Sequence, residues 1–275
     1  MEGKKRADVR LIELGLATSR ERAKEALQAG LVTWNHKKIT KAGTMVPAQA
    51  LLQMEQEAEF TYVGRGGLKL EKALSSFAID VKGRVCLDAG ASTGGFTDCL
   101  LRHGAAKVYA VDVGHDQLDP RLKCDPRVVS MEGVNVRALQ PETLGELCTL
   151  GTADLSFISL TKVLPALCGC LAEGAPLICL VKPQFEAGKN RVGKKGVVKD
   201  SRVHRQVLEE VTAFAAALGL RPCGLTTSPI KGQEGNTEFL LYLQKIQAKG
   251  ETAALTPQDM LARIHQVVQE ACQKG

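Results

Sequence analysis

The run of residues from Gly83 to Phe96, Gly-Arg-Val-Cys-Leu-Asp-Ala-Gly-Ala-Ser-Thr-Gly-Gly-Phe, constrains the fold of this 275-residue chain more than any other stretch. Residues 85–87 are a short apolar run typical of a buried parallel strand, which we expect Asp88 to end. Three glycines then permit a tight turn, and residues 96–103 have the pattern of an amphipathic helix. Strand, turn and helix N-terminus together predict a nucleotide-cofactor crevice at the carboxyl end of a central strand.

A glycine-rich turn by itself is as typical of an ordinary tight turn as of a cofactor site, so the neighbouring residues decide the interpretation. Residues 107–113 predict a second strand, in which Asp112 occupies the position of an acidic residue that holds the ribose hydroxyls of an adenosine cofactor. Ser92 stands where a dinucleotide fingerprint has its second glycine, and Asp88 at the mouth of the crevice would repel a pyrophosphate. S-adenosylmethionine (SAM), an adenosine with a sulfonium cation and no phosphate, suits these residues better.

After residue 67 the chain alternates predicted strands and helices, which indicates an α/β protein with a doubly wound, Rossmann-like sheet. The predicted helices cover residues 68–77, 96–103, 160–171 and 201–218 and a last segment that Thr256 caps, and the predicted strands cover 85–87, 107–113, 127–131, 152–157, 176–181, 223–227 and 239–243. The third strand ends at Glu132 to Asn135, whose polar groups suit an adenine edge. The predicted SAM-binding residues are Asp88, Gly90, Ser92, Thr93, Gly94, Gly95, Phe96, Asp112, Val113, Glu132, Asn135, Asp154 and Phe157.

Composition excludes several classes of protein. With 44% apolar and 24% charged residues the chain is an ordinary globular one. Its nine cysteines include no C-x-x-C pair, and several lie in apolar runs, so we expect buried thiols in a reducing cytosol and neither disulfides nor a metal site. The charged N-terminus leads into no signal peptide, and polar residues, glycine and prolines interrupt the apolar stretch 163–181. The sequence therefore predicts a cytoplasmic protein without membrane contact.

The net charge of +6 is concentrated in two regions. Residues 4–45 hold ten Lys and Arg against four Asp and Glu, and residues 182–205 hold eight against two. Either region alone could be an ordinary solvated surface, but two basic regions indicate a polyanionic partner such as RNA. We expect residues 189–199 to form a mobile loop over that partner. The predicted RNA-binding residues are Lys4, Arg6, Arg10, Arg20, Arg22, Lys24, Lys37, Lys38, Lys189, Arg191, Lys194 and Lys195.

The first sixty residues predict a small α+β domain. Residues 8–16 have a helical pattern, Thr18 and Glu21 predict a capping box for a helix that ends at Gly30, and residues 31–39 predict a hairpin that turns at Asn35 and His36. These features resemble the S4 RNA-binding domain, although a helical accessory domain is the simpler alternative. The acidic stretch 55–59 is typical of a linker. The predicted organisation is an S4-like domain over 1–60, a linker over 61–66 and a catalytic domain over 67–275.

Four motifs give the chain a more specific resemblance. They are residues 88–96, residues 153–159 (Ala-Asp-Leu-Ser-Phe-Ile-Ser), residues 181–185 (Val-Lys-Pro-Gln-Phe) and residues 235–238 (Gly-Asn-Thr-Glu). In this order they resemble the TlyA-type ribosomal RNA methyltransferases, which are FtsJ-like, SAM-dependent enzymes with an N-terminal S4 domain, often labelled haemolysins. The resemblance implies methylation of the ribose 2′-hydroxyl of cytidine in 16S or 23S rRNA. It also implies a catalytic tetrad that consists of Lys69, Asp154, Lys182 and Glu238.

The chemistry of the reaction is consistent with that tetrad. A ribose hydroxyl keeps its proton far above pH 7, and a lysine amine can accept the proton only if burial or a second cation depresses its pKa. Lys182 follows a buried strand and is the best candidate to meet the hydroxyl, with Lys69 as the second cation. One departure is that Tyr62 and Val63 replace the family's Trp-Val pair between the domains, which makes coupling between RNA docking and SAM binding less secure.

Two other functions remain open from the sequence. A non-catalytic S4-type RNA-binding protein would account for the first sixty residues only. A membrane-active haemolysin would need an insertion segment that the sequence does not show.

Overall fold

The computed structural model of the chain describes residues 3–17, 20–28, 30–35, 37–54, 62–193, 196–232, 235–246 and 255–273. It divides into two compact units, Met1–Thr61 and Tyr62–Gly275. Some predictions fall outside the described residues or side chains. These are the capping box of Thr18 and Glu21, the turn at His36, the linker at 55–59, and the side chains of Arg22, Lys189, Lys194 and Lys195.

The N-terminal unit is a small α+β fold. In chain order its elements are β1 (Lys4–Arg6), α1 (Ala7–Glu13), α2 (Arg20–Gln28), β2 (Val32–Trp34), β3 (Lys37–Ile39), β4 (Met45–Pro47) and β5 (Gln53–Met54). Strand β2 lies between β3 and β5 in an antiparallel sheet, and β1 pairs with β4. The two predicted helices and the β2–β3 hairpin are present. Strands β1, β4 and β5 were not predicted, because two or three residues are too few to show a period of two.

The C-terminal unit alternates strands and helices, as predicted. Its helices are α3 (Gly66–Phe77), α4 (Gly95–Arg102), α5 (Pro120–Lys123), α6 (Pro141–Leu144), α7 (Leu164–Cys170), α8 (Pro183–Glu186), α9 (Ser201–Ala217) and α10 (Pro257–Gln273). Its strands are β6 (Val85–Ala89), β7 (Lys107–Asp112), β8 (Val128–Glu132), β9 (Leu150–Ala153), β10 (Pro176–Val181), β11 (Leu220–Thr227) and β12 (Phe239–Lys245). Short 3₁₀ turns lie at Val136–Ala138, Leu160–Lys162 and Lys189–Arg191.

The seven strands form one sheet in the order β11-β12-β10-β9-β6-β7-β8. Strand β12 is antiparallel to both of its neighbours, and the pairings from β10 to β8 are parallel. All six residues of β10 are buried, as expected for a strand with helices on both faces of its sheet. The chain moves outward from β6 to β8 and then returns to β9, so the order reverses between β6 and β9. In such sheets ligands bind at the carboxyl ends of the strands at this switch point.

At the switch point, two strands end at other residues than predicted. Strand β6 continues through Asp88 to Ala89, because Asp88 points into the interior, where hydrogen bonds satisfy its carboxylate. Strand β9 covers Leu150–Ala153, so only the first two residues of the predicted strand over 152–157 lie in it. After the Asp154 N–H donates to the carbonyl oxygen of Ala89, the chain turns away and Phe157 adopts a positive φ of 64°.

Within the described part of the chain, no helix combines the length and the apolar composition that crossing a bilayer requires.

Candidate active site

The glycine turn after β6 packs directly against the end of β9. Gly90 has a φ of +85°, and a Cβ there would lie 2.4 Å from the carbonyl oxygen of Asp154. Gly94 has a φ of +98°, and a Cβ there would lie 2.2 Å from a methyl group of Leu122. A side chain at either position would push the turn away from its neighbours. Glycine is therefore required for the conformation and for the close approach.

Asp112, the last residue of β7, lies beside the glycine turn and connects two loops of the crevice. One carboxylate oxygen accepts a hydrogen bond from the Ser92 N–H at 2.8 Å, and the other accepts one from the Gly114 N–H at 2.8 Å. These contacts fix the carboxylate between two loops and leave lone pairs for further donors. Val113 follows with 63% of its surface exposed, which gives this side of the crevice an apolar patch.

Asp88 does not lie at the mouth of the crevice, contrary to the prediction. It is completely buried, and its two oxygens accept hydrogen bonds from the hydroxyls of Thr97 at 2.6 Å and Thr152 at 3.0 Å. Burial raises the pKa of Asp88 to about 6, and the two hydroxyls oppose that rise. Through these hydrogen bonds Asp88 connects β6 to α4 and to β9. Direct contact between Asp88 and a cofactor remains a prediction.

Several other predicted cofactor residues have structural contacts of their own. Glu132 accepts hydrogen bonds from the backbone N–H groups of Gln117 and Leu118 and from Lys123 Nζ, which lower its pKa to about 2. The Asn135 side chain caps the following 3₁₀ turn. Phe96 is buried beside the start of α3. Ser92, Thr93, Gly94 and Gly95 form the turn and the start of α4.

The ends of β9 and β10 bring Asp154 and Lys182 together. Lys182 Nζ lies 2.6 Å from Asp154 Oδ1 and donates a hydrogen bond to Ser156 Oγ at 3.0 Å. Both side chains of the ion pair are largely buried, with exposed fractions of 10% for Lys182 and 19% for Asp154. The pair thus has little solvent screening, and its ammonium group is held by two partners.

Lys69 and Glu238 form a second buried ion pair. Lys69 Nζ lies 2.7 Å from Glu238 Oε2, and the two side chains have exposed fractions of 11% and 3%. Lys69 lies on α3, whereas Glu238 immediately precedes β12. This contact spans 169 residues of sequence and joins the first helix of the unit to its edge hairpin.

The strand register explains why the predicted tetrad residues come together. Val181 in β10 pairs with Phe239 in the antiparallel strand β12, so Lys182 and Glu238 are the next positions at the same edge. Asp154 follows the neighbouring strand β9 at that edge. Three separate strand ends therefore place ionisable side chains side by side beside the glycine turn.

An aromatic cleft adjoins Lys182. Phe157 is 88% exposed, and its ring centroid lies 5.1 Å from that of Phe185. Lys182 Nζ lies 5.9 Å from the Phe185 ring centroid. The cleft has a volume of about 470 Å³, and its lining residues are Phe157, Ile158, Ser159, Gln184, Phe185, Gly188, Val192 and Gly193. Sequence patterns assigned Phe157 to the cofactor, but its exposure beside Phe185 suits a flat ring from outside the protein.

Residues 62–245 match the family of FtsJ-like methyltransferases, and residues 5–51 match the S4 domain family. The chain belongs to the FtsJ-like methyltransferase family. This membership confirms the predicted fold class, the enzyme class and SAM as the methyl donor, and it leaves a purely RNA-binding protein without support.

Full-length relatives agree with this assignment. The chain is 46% identical over 269 residues to a Bacillus subtilis protein provisionally named rRNA methyltransferase YqxC, a match that covers 98% of this chain and 94% of the relative. It is 44% identical over 270 residues to the 16S/23S rRNA (cytidine-2′-O)-methyltransferase TlyA of Mycobacterium tuberculosis, with coverage of 98% and 99%. A solved structure from Streptococcus thermophilus, provisionally named a hemolysin, matches with a TM-score of 0.76 at 42% identity and covers 100% of this chain and 99% of its own. The predicted resemblance to the TlyA type is therefore confirmed.

The crevice of this FtsJ-like unit fits SAM. Asp112 offers carboxylate oxygens to ribose hydroxyls, and the absence of a Cβ at Gly90 keeps the turn close to the switch point. Asp154 supplies a carboxylate just after β9, and a negative charge of this kind suits a sulfonium cation. No group in this set favours a pyrophosphate.

The S4 unit carries most of the predicted RNA-binding side chains. Lys4, Lys24, Lys37 and Lys38 are exposed. Arg6 and Arg20 also donate to Asp8, which lowers the pKa of that carboxyl group, and Arg10 donates to the carbonyl oxygen of Ala50. In the FtsJ-like unit Arg191 is exposed and donates to the carbonyl oxygen of Ala187.

Sequence reasoning missed Ser156 and Asn236, although both lie inside the quoted motifs. Ser156 follows Asp154 by two residues and accepts from Lys182, and Asn236 precedes Glu238 by two residues and is buried. Each is an uncharged polar residue two positions from a predicted tetrad residue, and this spacing is the signal that could have identified them.

Proposed function

We propose that this enzyme transfers a methyl group from SAM to the ribose 2′-hydroxyl of cytidine in ribosomal RNA. The observation that carries the proposal is the buried Lys182–Asp154 pair, which lies at the strand ends beside the glycine turn. The names of the relatives support the substrate, because the Mycobacterium tuberculosis relative is a 16S/23S rRNA (cytidine-2′-O)-methyltransferase. The proposed setting is the cytoplasm, where rRNA or ribosomal subunits are the partners.

The cofactor supplies an electrophilic methyl group on a sulfonium cation. Residues of the crevice bind and orient it: Asp112 accepts hydrogen bonds from its ribose, Val113 and the glycine turn border its adenosine, and Asp154 favours the positive sulfonium. These roles are part of the proposal. So is cofactor contact by the other predicted residues except Phe157, which the proposal assigns to the target base.

Lys182 acts on the RNA. The Lys182 amine, after its ammonium ion has released a proton to solvent, accepts the proton of the 2′-hydroxyl while the hydroxyl oxygen forms its bond to the methyl carbon and the bond between that carbon and sulfur breaks. Lys182 therefore ends as an ammonium ion. Asp154 at 2.6 Å and Ser156 at 3.0 Å orient the amine and stabilise its positive charge once the proton has moved. Lys69, held by Glu238 at 2.7 Å, is the second cation and binds a backbone phosphate.

The aromatic cleft accommodates the target base. A 2′-hydroxyl becomes accessible to the methyl group when its nucleotide is splayed out of the RNA, and an unstacked base then stacks on aromatic rings. Phe157 and Phe185 provide such rings beside Lys182. The exposed lysines of the S4 unit bind phosphates of the folded RNA around the target.

The test is a comparison of Lys182 variants in single-turnover methyl transfer at saturating RNA. Lys182→Arg keeps the positive charge, but a guanidinium keeps its proton at all accessible pH values. We expect Lys182→Arg and Lys182→Ala to bind SAM and rRNA and to transfer the methyl group at least about a hundredfold more slowly, the scale of lost general-base catalysis.

Lys82→Ala is the matched control, because Lys82 is an exposed lysine in the turn before β6, at the opposite edge of the sheet. It should transfer the methyl group at the wild-type rate. Near-normal transfer by Lys182→Arg would end the role of Lys182 as proton acceptor and leave only a contribution of its charge.

A further inference from the structure

Asn236 is a buried amide that holds a distant stretch of backbone. It is 2% exposed and lies two residues before Glu238. Its Oδ1 accepts a hydrogen bond from the Val198 N–H at 3.0 Å, and its Nδ2 donates to the carbonyl oxygen of Gly196 at 2.9 Å. One side chain therefore satisfies a donor and an acceptor that lie 38 and 40 residues earlier in the chain.

A second set of contacts links residues 196–198 to Phe239, which follows Glu238 in the chain. The carbonyl oxygen of Val198 lies 2.9 Å from His204 Nε2, which therefore carries the proton and donates. The His204 ring meets the Phe239 ring edge-on, with centroids 5.5 Å apart and an interplanar angle of 70°. Because Phe239 directly follows Glu238, residues 196–198 are joined to the chain on both flanks of that carboxylate.

The backbone of Asn236 also shapes the surroundings of Glu238. Its carbonyl oxygen accepts from the Gly232 N–H at 2.8 Å and closes a turn. The turn brings Gly232 so close that a Cβ there would lie 2.1 Å from Glu238 Oε1. The position of Glu238, and with it the ion pair to Lys69, therefore depends on the segment that Asn236 organises.

We infer that Asn236 is a positioning residue for methyl transfer, which fixes residues 196–199 relative to the Lys69–Glu238 ion pair. The inference rests on the proposed function and deepens it. Lys199 directly follows Val198 and is exposed, so the clamp on residues 196–198 also sets the direction in which this cation meets the RNA. Loss of the amide leaves the Val198 N–H and the Gly196 carbonyl oxygen without their partner, and the segment then separates from Glu238.

Two substitutions separate the hydrogen bonds from simple packing. Asn236→Ala removes the side-chain hydrogen bonds to Gly196 and Val198 and some volume. Asn236→Asp has nearly the same shape and keeps an acceptor for the Val198 N–H, but it turns a second acceptor towards the carbonyl oxygen of Gly196. Thr212→Ala is the control for a general loss of stability, because Thr212 is a buried polar residue on α9 that donates to the carbonyl oxygen of Leu208.

The experiment measures single-turnover methyl transfer to rRNA, the RNA concentration for half-maximal rate, SAM affinity by calorimetry and the melting temperature. We expect both Asn236 variants to lose at least about tenfold in rate at saturating RNA, the scale of one misplaced catalytic group. SAM affinity should stay within about twofold. Thr212→Ala should lower the melting temperature by a similar amount and keep the wild-type rate.

The outcomes distinguish this inference from the proposed function. A wild-type enzyme that leaves rRNA riboses unmodified overturns the proposed function itself. If the wild type is active, a normal rate in Asn236→Asp overturns the proposed positioning by the amide, because the side-chain shape and the one retained hydrogen bond to the Val198 N–H would then suffice. Equal rate losses in Asn236→Ala and Thr212→Ala overturn it too, since both would reflect lost stability.

Discussion

Asp88 and Lys182 both lie at strand ends in the sequence pattern, yet they have different surroundings. Lys182 follows the apolar run of β10 and reaches the edge of the sheet, as the pattern predicts. Asp88 remains inside β6 because Thr97 and Thr152, which are 9 and 64 residues away, provide hydroxyl donors for its carboxylate. Local sequence can indicate that a polar residue follows a strand. It cannot indicate a distant donor that allows the residue to stay buried.

The raised pKa of Asp88 gives a testable pH dependence. A carboxyl group whose pKa is about 6 when folded and about 3.9 when unfolded contributes stability below pH 4 and loses that contribution as the pH rises through 6. In Asp88→Asn this dependence is absent. We expect the free energy of unfolding of the wild type, relative to Asp88→Asn, to fall by up to about 3 kcal/mol between pH 4 and pH 7.

Urea unfolding of the two proteins across this pH range measures the effect. Other titrating groups are common to both proteins and cancel in the difference. Parallel curves would contradict a raised pKa for Asp88.

At the scale of elements, the ends of the strands that carry the site were predictable where a polar residue directly follows the apolar run of the strand. Strand β10 ends at the predicted residue, and β7 ends at Asp112 as expected. Strand β9 was placed about two residues too late, because Leu155 and Phe157 extend the apolar pattern beyond it. The positive φ of Phe157 and the exposure of its ring come from tertiary contacts, which a periodicity does not report.

Asp112 tests the role of the end of β7. Its carboxylate fixes the Ser92 and Gly114 loops, and in the proposed function it also binds the ribose of SAM. We expect Asp112→Ala to weaken SAM binding by about 1–3 kcal/mol, the scale of a lost charged hydrogen bond. Isothermal calorimetry measures this loss.

Asp80→Ala is the control, because Asp80 lies in the loop before β6 and caps only the Lys82 N–H. It should bind SAM like the wild type. Unchanged affinity in Asp112→Ala would remove Asp112 from the cofactor site.

At the scale of the whole molecule, the chain joins an S4 unit to an FtsJ-like methyltransferase unit. Charge and motif order predicted this combination, because the basic N-terminal residues and the four catalytic motifs are each recognisable in the sequence. The sheet order was not predictable strand by strand. The reversal between β6 and β9 and the antiparallel strand β12 bring Asp154, Lys182 and Glu238 to one edge. Only the register determines that two ion pairs form there, one between Lys182 and Asp154 and one between Lys69 and Glu238.

The most direct test of the central claim is a map of methylation on rRNA after incubation with the purified full-length protein and isotopically labelled SAM. Ribose methylation protects the adjacent phosphodiester bond from alkaline cleavage, and mass spectrometry of nuclease fragments assigns the label to ribose or base. We expect the label on the 2′-oxygen of a cytidine in wild-type reactions, and labelling that is at least about a hundredfold slower with Lys182→Ala. A label on a base, or ribose labelling by Lys182→Ala at a rate near that of the wild type, would contradict the account.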